Sequence, residues 1–245
     1  MLAGAMRRSA FRRATARDRP RGRDSTAWRS RKPARPRLFV LGLVVSLVAG
    51  ACAGARARAE APDSDEPAGA WAFEADRLEL QLGVRPFFSL QETSKRRPQI
   101  DDVGAHLRLG WMLTSPGSDG FWRGNLEILV SAQGSAVVVG PGSFFAGGSF
   151  LLRRNFVRSG ARFVPYAQLE VGALHNDVHD NPDQRVVGQS FEFELGGGVG
   201  SRVLIRDAWA VYGEVDYRHV SNGGLAARNL GLNSVGALIG IARFF

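Results

Sequence analysis

Ala105-His106-Leu107-Arg108-Leu109-Gly110-Trp111-Met112-Leu113 repeats with a period of two. Ala105, Leu107, Leu109, Trp111 and Leu113 share one parity, and His106, Arg108, Gly110 and Met112 share the other. Successive side chains of a strand point to opposite faces, so this stretch predicts a β-strand with one apolar face and one charged face. The same pattern recurs on both sides of it. Leu78, Leu80, Leu82 and Val84 alternate with Glu79, Gln81, Gly83 and Arg85, and Leu126, Ile128 and Val130 with Asn125, Glu127 and Ser131. Further along, Phe163, Ala167, Leu169 and Val171 oppose Tyr166, Gln168 and Glu170, and Phe191, Phe193, Leu195 and Val199 oppose Glu192, Glu194 and Arg202. Trp209, Val211, Val215 and Tyr217 oppose Glu214, Asp216 and Arg218, and Val235, Ala237, Ile239 and Ile241 oppose Ser234, Gly236 and Gly240. A glycine-rich stretch around Phe144–Asn155 completes a count of eight strands, with its faces ambiguous.

Alternating strands suit either a soluble sandwich with an apolar core or a membrane barrel with its apolar face outward. The other face decides. It carries Glu79, Arg85, Arg108, Glu127, Glu170, Glu192, Glu194, Glu214, Asp216 and Arg218, both signs interspersed. Such a face suits the filled interior of a narrow eight-stranded barrel, where opposite charges pair and no pore remains. The connections agree: gaps at 89–102, 134–142, 174–188 and 221–232 read as long outer loops, and those at 115–120, 156–161 and 206–208 as short inner turns. The last strand closes on Phe244-Phe245. A terminal aromatic is common in proteins handed to the outer-membrane assembly machinery. The expected fold is all-β, an eight-stranded antiparallel transmembrane barrel of the outer membrane.

Charge supports this once it is located. The net charge of +9 first suggests a nucleic-acid or membrane-surface binder. Residues 1–59, however, hold 15 of the 32 Lys and Arg and only two acids, Asp18 and Asp24. The remainder has 17 basic and 21 acidic residues and no basic stripe, which excludes nucleic acid as a partner. The leader ends in an apolar run, 38–51, and Ala57-Arg58-Ala59 offers a cleavage site before Glu60. That run is short for a membrane-spanning helix of roughly 20 residues. Its basic region of 37 residues is long for a signal peptide, as an upstream start codon would produce. Residues 60–70 read as a disordered linker and 71–245 as the barrel domain. The single cysteine, Cys52, lies in the leader; a lipoprotein site there has Ala49 where Leu is usual. A chain cut at Ala59 has no thiol chemistry.

Candidate chemistry sits at the seventh strand and beyond it: Arg218-His219-Val220-Ser221-Asn222-Gly223-Gly224-Leu225, then Asn229-Leu230-Gly231-Leu232-Asn233-Ser234. This stretch resembles the His-x-Ser-Asn signature of the lipid A 3-O-deacylases (the PagL family), with the following Asn-x-Gly also at the family spacing. Weaker similarity runs through Val164-Pro165-Tyr166, Glu170-Val171-Gly172 and Ser190-Phe191-Glu192 to Gly198. The resemblance implies a serine esterase, without cofactor or metal, that removes the 3-hydroxyacyl chain esterified at position 3 of lipid A. Lipopolysaccharide in the outer leaflet would then be its substrate and outer-membrane lipids its surroundings. The oligomeric state is open.

The residues support that chemistry independently. His219 and Ser221 share the odd parity of Trp209, Val211, Val215 and Tyr217, so both should face lipid. A His and a Ser are out of place there for packing and well placed for a lipid substrate. His219 would take the proton of Ser221, and Asn222, Asn229 and the Gly223 and Gly224 amides are candidate oxyanion donors. The resemblance implies an orienting glutamate two residues after Gly231; Asn233 stands there instead. An asparagine accepts a bond from imidazole but brings no charge to stabilise imidazolium. Glu214 and Asp216 have the wrong parity to replace it.

Other groups read two ways. His175, Asp177, His179, Asp180 and Asp183 form either a divalent-metal site or, more simply, a polar outer loop. Lys95-Arg96-Arg97 either meets lipid A phosphates or is a solvated charge run. Gly223, Gly224 and Gly231 read as positive-φ turns, and Trp71, Trp111, Trp122 and Trp209 as interfacial belts. The rival functions are a non-enzymatic barrel, structural or interacting, and an esterase for another acyl lipid.

Overall fold

A computed structural model describes residues 70–117, 122–160, 162–206 and 208–245. The leader, its cleavage motif and all of the expected linker except Ala70 lie outside these residues. The described chain forms eight antiparallel strands: β1 (Leu78–Ser89), β2 (Asp101–Met112), β3 (Asn125–Val139), β4 (Phe144–Asn155), β5 (Phe163–Asn176), β6 (Phe191–Arg206), β7 (Trp209–Ser221) and β8 (Leu232–Phe244). Each pairs with the next, and β1 pairs with β8, closing the barrel without an edge.

Parity behaves as expected. Leu82, Leu109, Val130, Phe150, Leu169, Val199, Val215 and Ile239, one from each strand, are exposed on the outside. All ten charged residues assigned to the other face are buried within. An apolar exterior around a paired polar interior is the arrangement that lipid stabilises and water does not. The glycine-rich β4 is also resolved: Ser149, Leu151, Arg153 and Asn155 point inward, and Phe150 and Leu152 outward.

The interior is layered. Arg202 binds Glu79 Oε1 at 2.8 Å and Glu127 Oε2 at 2.8 Å. In the next layer Glu214 accepts from Arg108 at 2.7 Å, Arg153 at 3.1 Å and the Tyr166 hydroxyl at 2.8 Å. Further out, Arg85 lies 3.6 Å from Glu170 and 3.7 Å from Asp216, and Arg218 pairs with Asp102. A buried charge survives only with such partners, so the layers depend on one another.

Apolar clusters close both ends, which the strict alternation does not foretell. At the end carrying the short connections, a helical turn at Ala70–Phe73 inserts Phe73 among Met112, Val164, Leu204, Leu238 and Phe244. Trp71 packs against this plug and so departs from the expected lipid-interface belt. At the opposite end Ile100, Val178, Val186 and Val187 from the loops cover Phe145, Leu174, Val220 and Leu232.

Two connections differ from expectation. β3 continues to Val139 through pairing of Ser135 with Gly104 and Ala136 with Phe144, so the second outer connection is only 140–143 rather than 134–142. The first inner connection is 113–124, longer than the expected 115–120. The remaining outer loops are 90–100, 177–190 and 222–231.

Candidate active site

His219 and Ser221 lie near the loop end of β7 and, as their parity requires, on the outer wall. Both are half-buried. Leu195 is the register partner of His219 on β6, and Phe193 that of Ser221. On the other side His219 pairs with Asn233 of β8. Pairing across the ladder brings the two side chains together: His219 Nδ1 lies 2.7 Å from Asn233 Oδ1. The amide oxygen can only accept, so Nδ1 carries the hydrogen and Nε2 is left with its lone pair.

Tyr217, two residues before His219 on the same face, donates its hydroxyl hydrogen to the same Asn233 oxygen at 2.8 Å. Sequence parity places Tyr217 only in the lipid-facing set; its bond to Asn233 depends on the β7–β8 register. The Asn233 backbone is held from the start of the first outer loop, where Leu90 N–H donates to its carbonyl at 2.8 Å and Gln91 Oε1 accepts from its N–H at 3.4 Å.

Loop 222–231 folds back over the site through Asn222. The Asn222 backbone N–H donates to Asn229 Oδ1 at 2.9 Å, and its side-chain amide donates to the Arg228 carbonyl at 2.9 Å. Its Oδ1 accepts from Gly224 N–H at 3.0 Å and Ala226 N–H at 3.3 Å. Asn222 is completely buried and organises the loop, so its side chain and the Gly224 amide do not point donors at a substrate as expected. The Gly223 N–H and Asn229 Nδ2 have no partner among the described residues and keep their donors. Gly223, Gly224 and Gly231 have φ of 63°, 89° and 75°, the left-handed turns expected of them. Gly231 has a second reason to lack a side chain: a Cβ there would lie 2.7 Å from His219 Cε1.

Ser221 Oγ and His219 Nε2 are not hydrogen-bonded to each other among the described contacts. At the strand rise of about 3.3 Å per residue their Cα atoms stand roughly 6.6 Å apart. Rotation of the Ser221 side chain therefore governs their approach. Glu214 and Asp216 are inside, bound to the interior network.

In the third outer loop, Asp177 Oδ1 accepts from Ser143 N–H at 2.7 Å and Phe144 N–H at 3.2 Å, tying down the second outer turn. Partial burial pushes its carboxyl up, but these backbone bonds outweigh that and hold it below the usual aspartate value. Among the described residues no three His, Cys, Asp or Glu side chains converge as a metal ion would need.

A closed barrel with an apolar outer wall and charge sealed inside is a membrane-spanning β-barrel, and here a His–Asn pair and a Ser lie on that outer wall. The model of the lipid A 3-O-deacylase (PagL) family matches residues 102–242, and the chain belongs to that family. Among solved structures, the outer membrane enzyme PagL is 19% identical over 67% of this chain and 97% of its own, with a TM-score of 0.44. Neisserial surface protein A (NspA) is 13% identical over 69% and 97%, with a TM-score of 0.45. The outer membrane protein OprG from Pseudomonas aeruginosa is 12% identical over 74% and 99%, with a TM-score of 0.43. No curated protein matches the chain.

Proposed function

We propose that the protein is a serine esterase of the Gram-negative outer membrane that removes the 3-O-linked 3-hydroxyacyl chain from lipid A. The observation that carries this reading is the 2.7 Å bond from His219 to Asn233 on the lipid-facing wall, two residues from Ser221. It fixes the tautomer in which Nε2 can act as a base. As substrate docks, Ser221 turns toward Nε2 and gives up its proton, and Oγ attacks the ester carbonyl carbon. The Gly223 N–H and Asn229 Nδ2 are the donors left to stabilise the oxyanion. Imidazolium then protonates the departing 3-oxygen of the sugar, leaving lipid A with a free hydroxyl. Water, deprotonated by His219, releases the 3-hydroxy fatty acid from Ser221. Asn233 supplies orientation without charge, and Tyr217 holds its amide in that orientation. Export by the leader 1–59, with cleavage before Glu60, would bring the barrel to this membrane.

The test is mass spectrometry of lipid A from a host that lacks such an enzyme, expressing the protein or its Ser221→Ala variant. Loss of one 3-hydroxyacyl group with the parent alone is the expected result. Unchanged lipid A beside a folded, inserted barrel would sink the reading. A panel of purified acyl lipids would then separate an esterase for another lipid from a non-enzymatic barrel.

A further inference from the structure

We propose that Arg96, Arg97 and Arg185 form a ledge above the His219 site that binds a phosphate group of a glycolipid headgroup. The inference rests on the reading of that site as a lipid A esterase.

Three loops build the ledge by backbone pairing. Ser94 and Arg97 close a tight turn, each N–H bonding the other's carbonyl, at 2.8 and 3.1 Å, with Lys95 and Arg96 at its tip. The Arg96 carbonyl accepts from Arg185 N–H at 2.8 Å, and the Arg185 carbonyl accepts from Leu230 N–H at 2.9 Å. Gly231 N–H then bonds the Val186 carbonyl at 3.1 Å, and Gly231 is the residue pressed against the His219 ring. Three consecutive backbone bonds thus connect the arginines to the base. The root of the first loop is fixed to the site as well. Gln91 accepts from Asn233 N–H through Oε1 and donates to the Pro98 carbonyl at 3.3 Å through Nε2.

Lys95, Arg96, Arg97 and Arg185 are exposed, and none has an ion-pair partner among the described residues. Arg228, the other cation of these loops, is instead spent on the carbonyls of His179 and Asn181 at 2.6 and 2.7 Å. The acids of the third loop are divided from Arg185 by use. Asp177 holds Ser143 and Phe144, and Asp180 lies 3.2 Å from His179. Glu92 and Asp183 are exposed in the same loops and temper the field without pairing with it. Free guanidinium forks beside a lipid-facing ester site suit a phosphate monoester, which they bind in bidentate fashion. A phosphate on the same sugar as the scissile ester lies one pyranose ring away from it. Gripping it would fix which ester meets Ser221.

The test uses full-length protein in detergent micelles, with Ser221→Ala so that lipid is not consumed. Binding is compared for bisphosphorylated lipid A and the same lipid stripped of phosphate, with the arginines intact and with Arg96→Gln, Arg97→Gln and Arg185→Gln together. The phosphorylated lipid is expected to bind about tenfold more tightly, with the preference lost in the triple variant and weakened by salt. An unchanged preference in the triple variant overturns the proposal. Equal competition by inorganic phosphate overturns the assignment to a lipid headgroup. If the triple variant fails to fold, the three single variants are read in its place. Turnover by the parent enzyme is scored separately. Absent turnover with phosphate-dependent binding retained refutes the esterase reading and leaves the ledge standing.

Discussion

Replacing Gly231 by Ala should disable the site through one methyl group, and replacing Gly224 by Ala should not. Both glycines have left-handed backbones, φ 75° and 89°, so alanine costs about 1–2 kcal/mol at either. Their surroundings differ. At Gly224 no heavy atom lies within 4 Å of the added Cβ, whereas at Gly231 it meets His219 Cε1 at 2.7 Å. Ordinary carbon contacts lie near 3.5–4.0 Å, so ring or loop must retreat by about 1 Å. The imidazole is held to Asn233 by a single bond and is the part free to yield. A displacement of about 1 Å in a catalytic group lowers rate roughly 10²-fold. The assay is release of hydroxy fatty acid from lipid A micelles, normalised to the folded fraction by heat-modifiable gel migration. Gly224→Ala should stay within about threefold of the parent, because only backbone strain is added. Equal activities for the two folded variants would refute the close packing of Gly231 on His219.

Tyr217→Phe removes one hydrogen bond to Asn233, worth about 1 kcal/mol, so kcat should fall roughly fivefold with little change in stability. Asn233→Ala, which takes away the partner of His219 Nδ1 altogether, should cost kcat about 10²-fold or more in the same assay. Arg202→Met leaves Glu79 and Glu127, among the described residues, only the longer ion pairs to Arg153, at 3.8 and 3.6 Å, and should destabilise the barrel by about 3–5 kcal/mol, read as a lower urea midpoint; adding Glu79→Gln should recover part of the loss. Asp177 has a folded-state pKa below its ordinary 3.8, so its contribution to the second outer turn is fully present above that value and is lost as pH falls through the lowered one. The protection factors of the Ser143 and Phe144 amides, their exchange rates set against the intrinsic rate at each pH, should fall over that acidic window and stay level between about pH 5 and 7.

The barrel was legible in the strands where lipid and charge oppose each other most sharply. In β7, Val215 against Glu214 and Asp216 leaves only one face to the exterior. β4 was not, because Gly147 and Gly148 have no polarity to read; Ser149 and Arg153 decide its faces only through partners on other strands. The end of β3 was hidden for a similar reason. Ala136–Val139 are uniformly small or apolar, so nothing marks where the strand stops. Inward Met112, Phe145, Val220 and Leu232 break the alternation because plugs from distant segments cover them, a fact of tertiary packing that no local period carries. His219 and Ser221 announced themselves as polar residues in an apolar series. Asn222 looked like a substrate donor because it stands beside Ser221; its part in the loop became visible only with Arg228 and Asn229 folded back upon it.

The interior layers join strands far apart in the chain. Arg202 of β6 needs Glu79 of β1, 123 residues away, and Arg218 of β7 needs Asp102 of β2, 116 residues away. Glu214 of β7 needs Arg108 of β2, at a separation of 106. None of these neutralisations can occur while the sheet is open, because each spans its width. A half-formed sheet entering lipid would carry these charges without their cross-barrel partners, each at a cost of several kcal/mol. Folding is thereby made nearly all-or-none, with a high contact order and a slow rate, and its transition state must already have the two flanks approaching. The same long-range pairing that makes the cylinder slow to form makes opening any one seam costly, because it parts charges that neutralise one another across the interior.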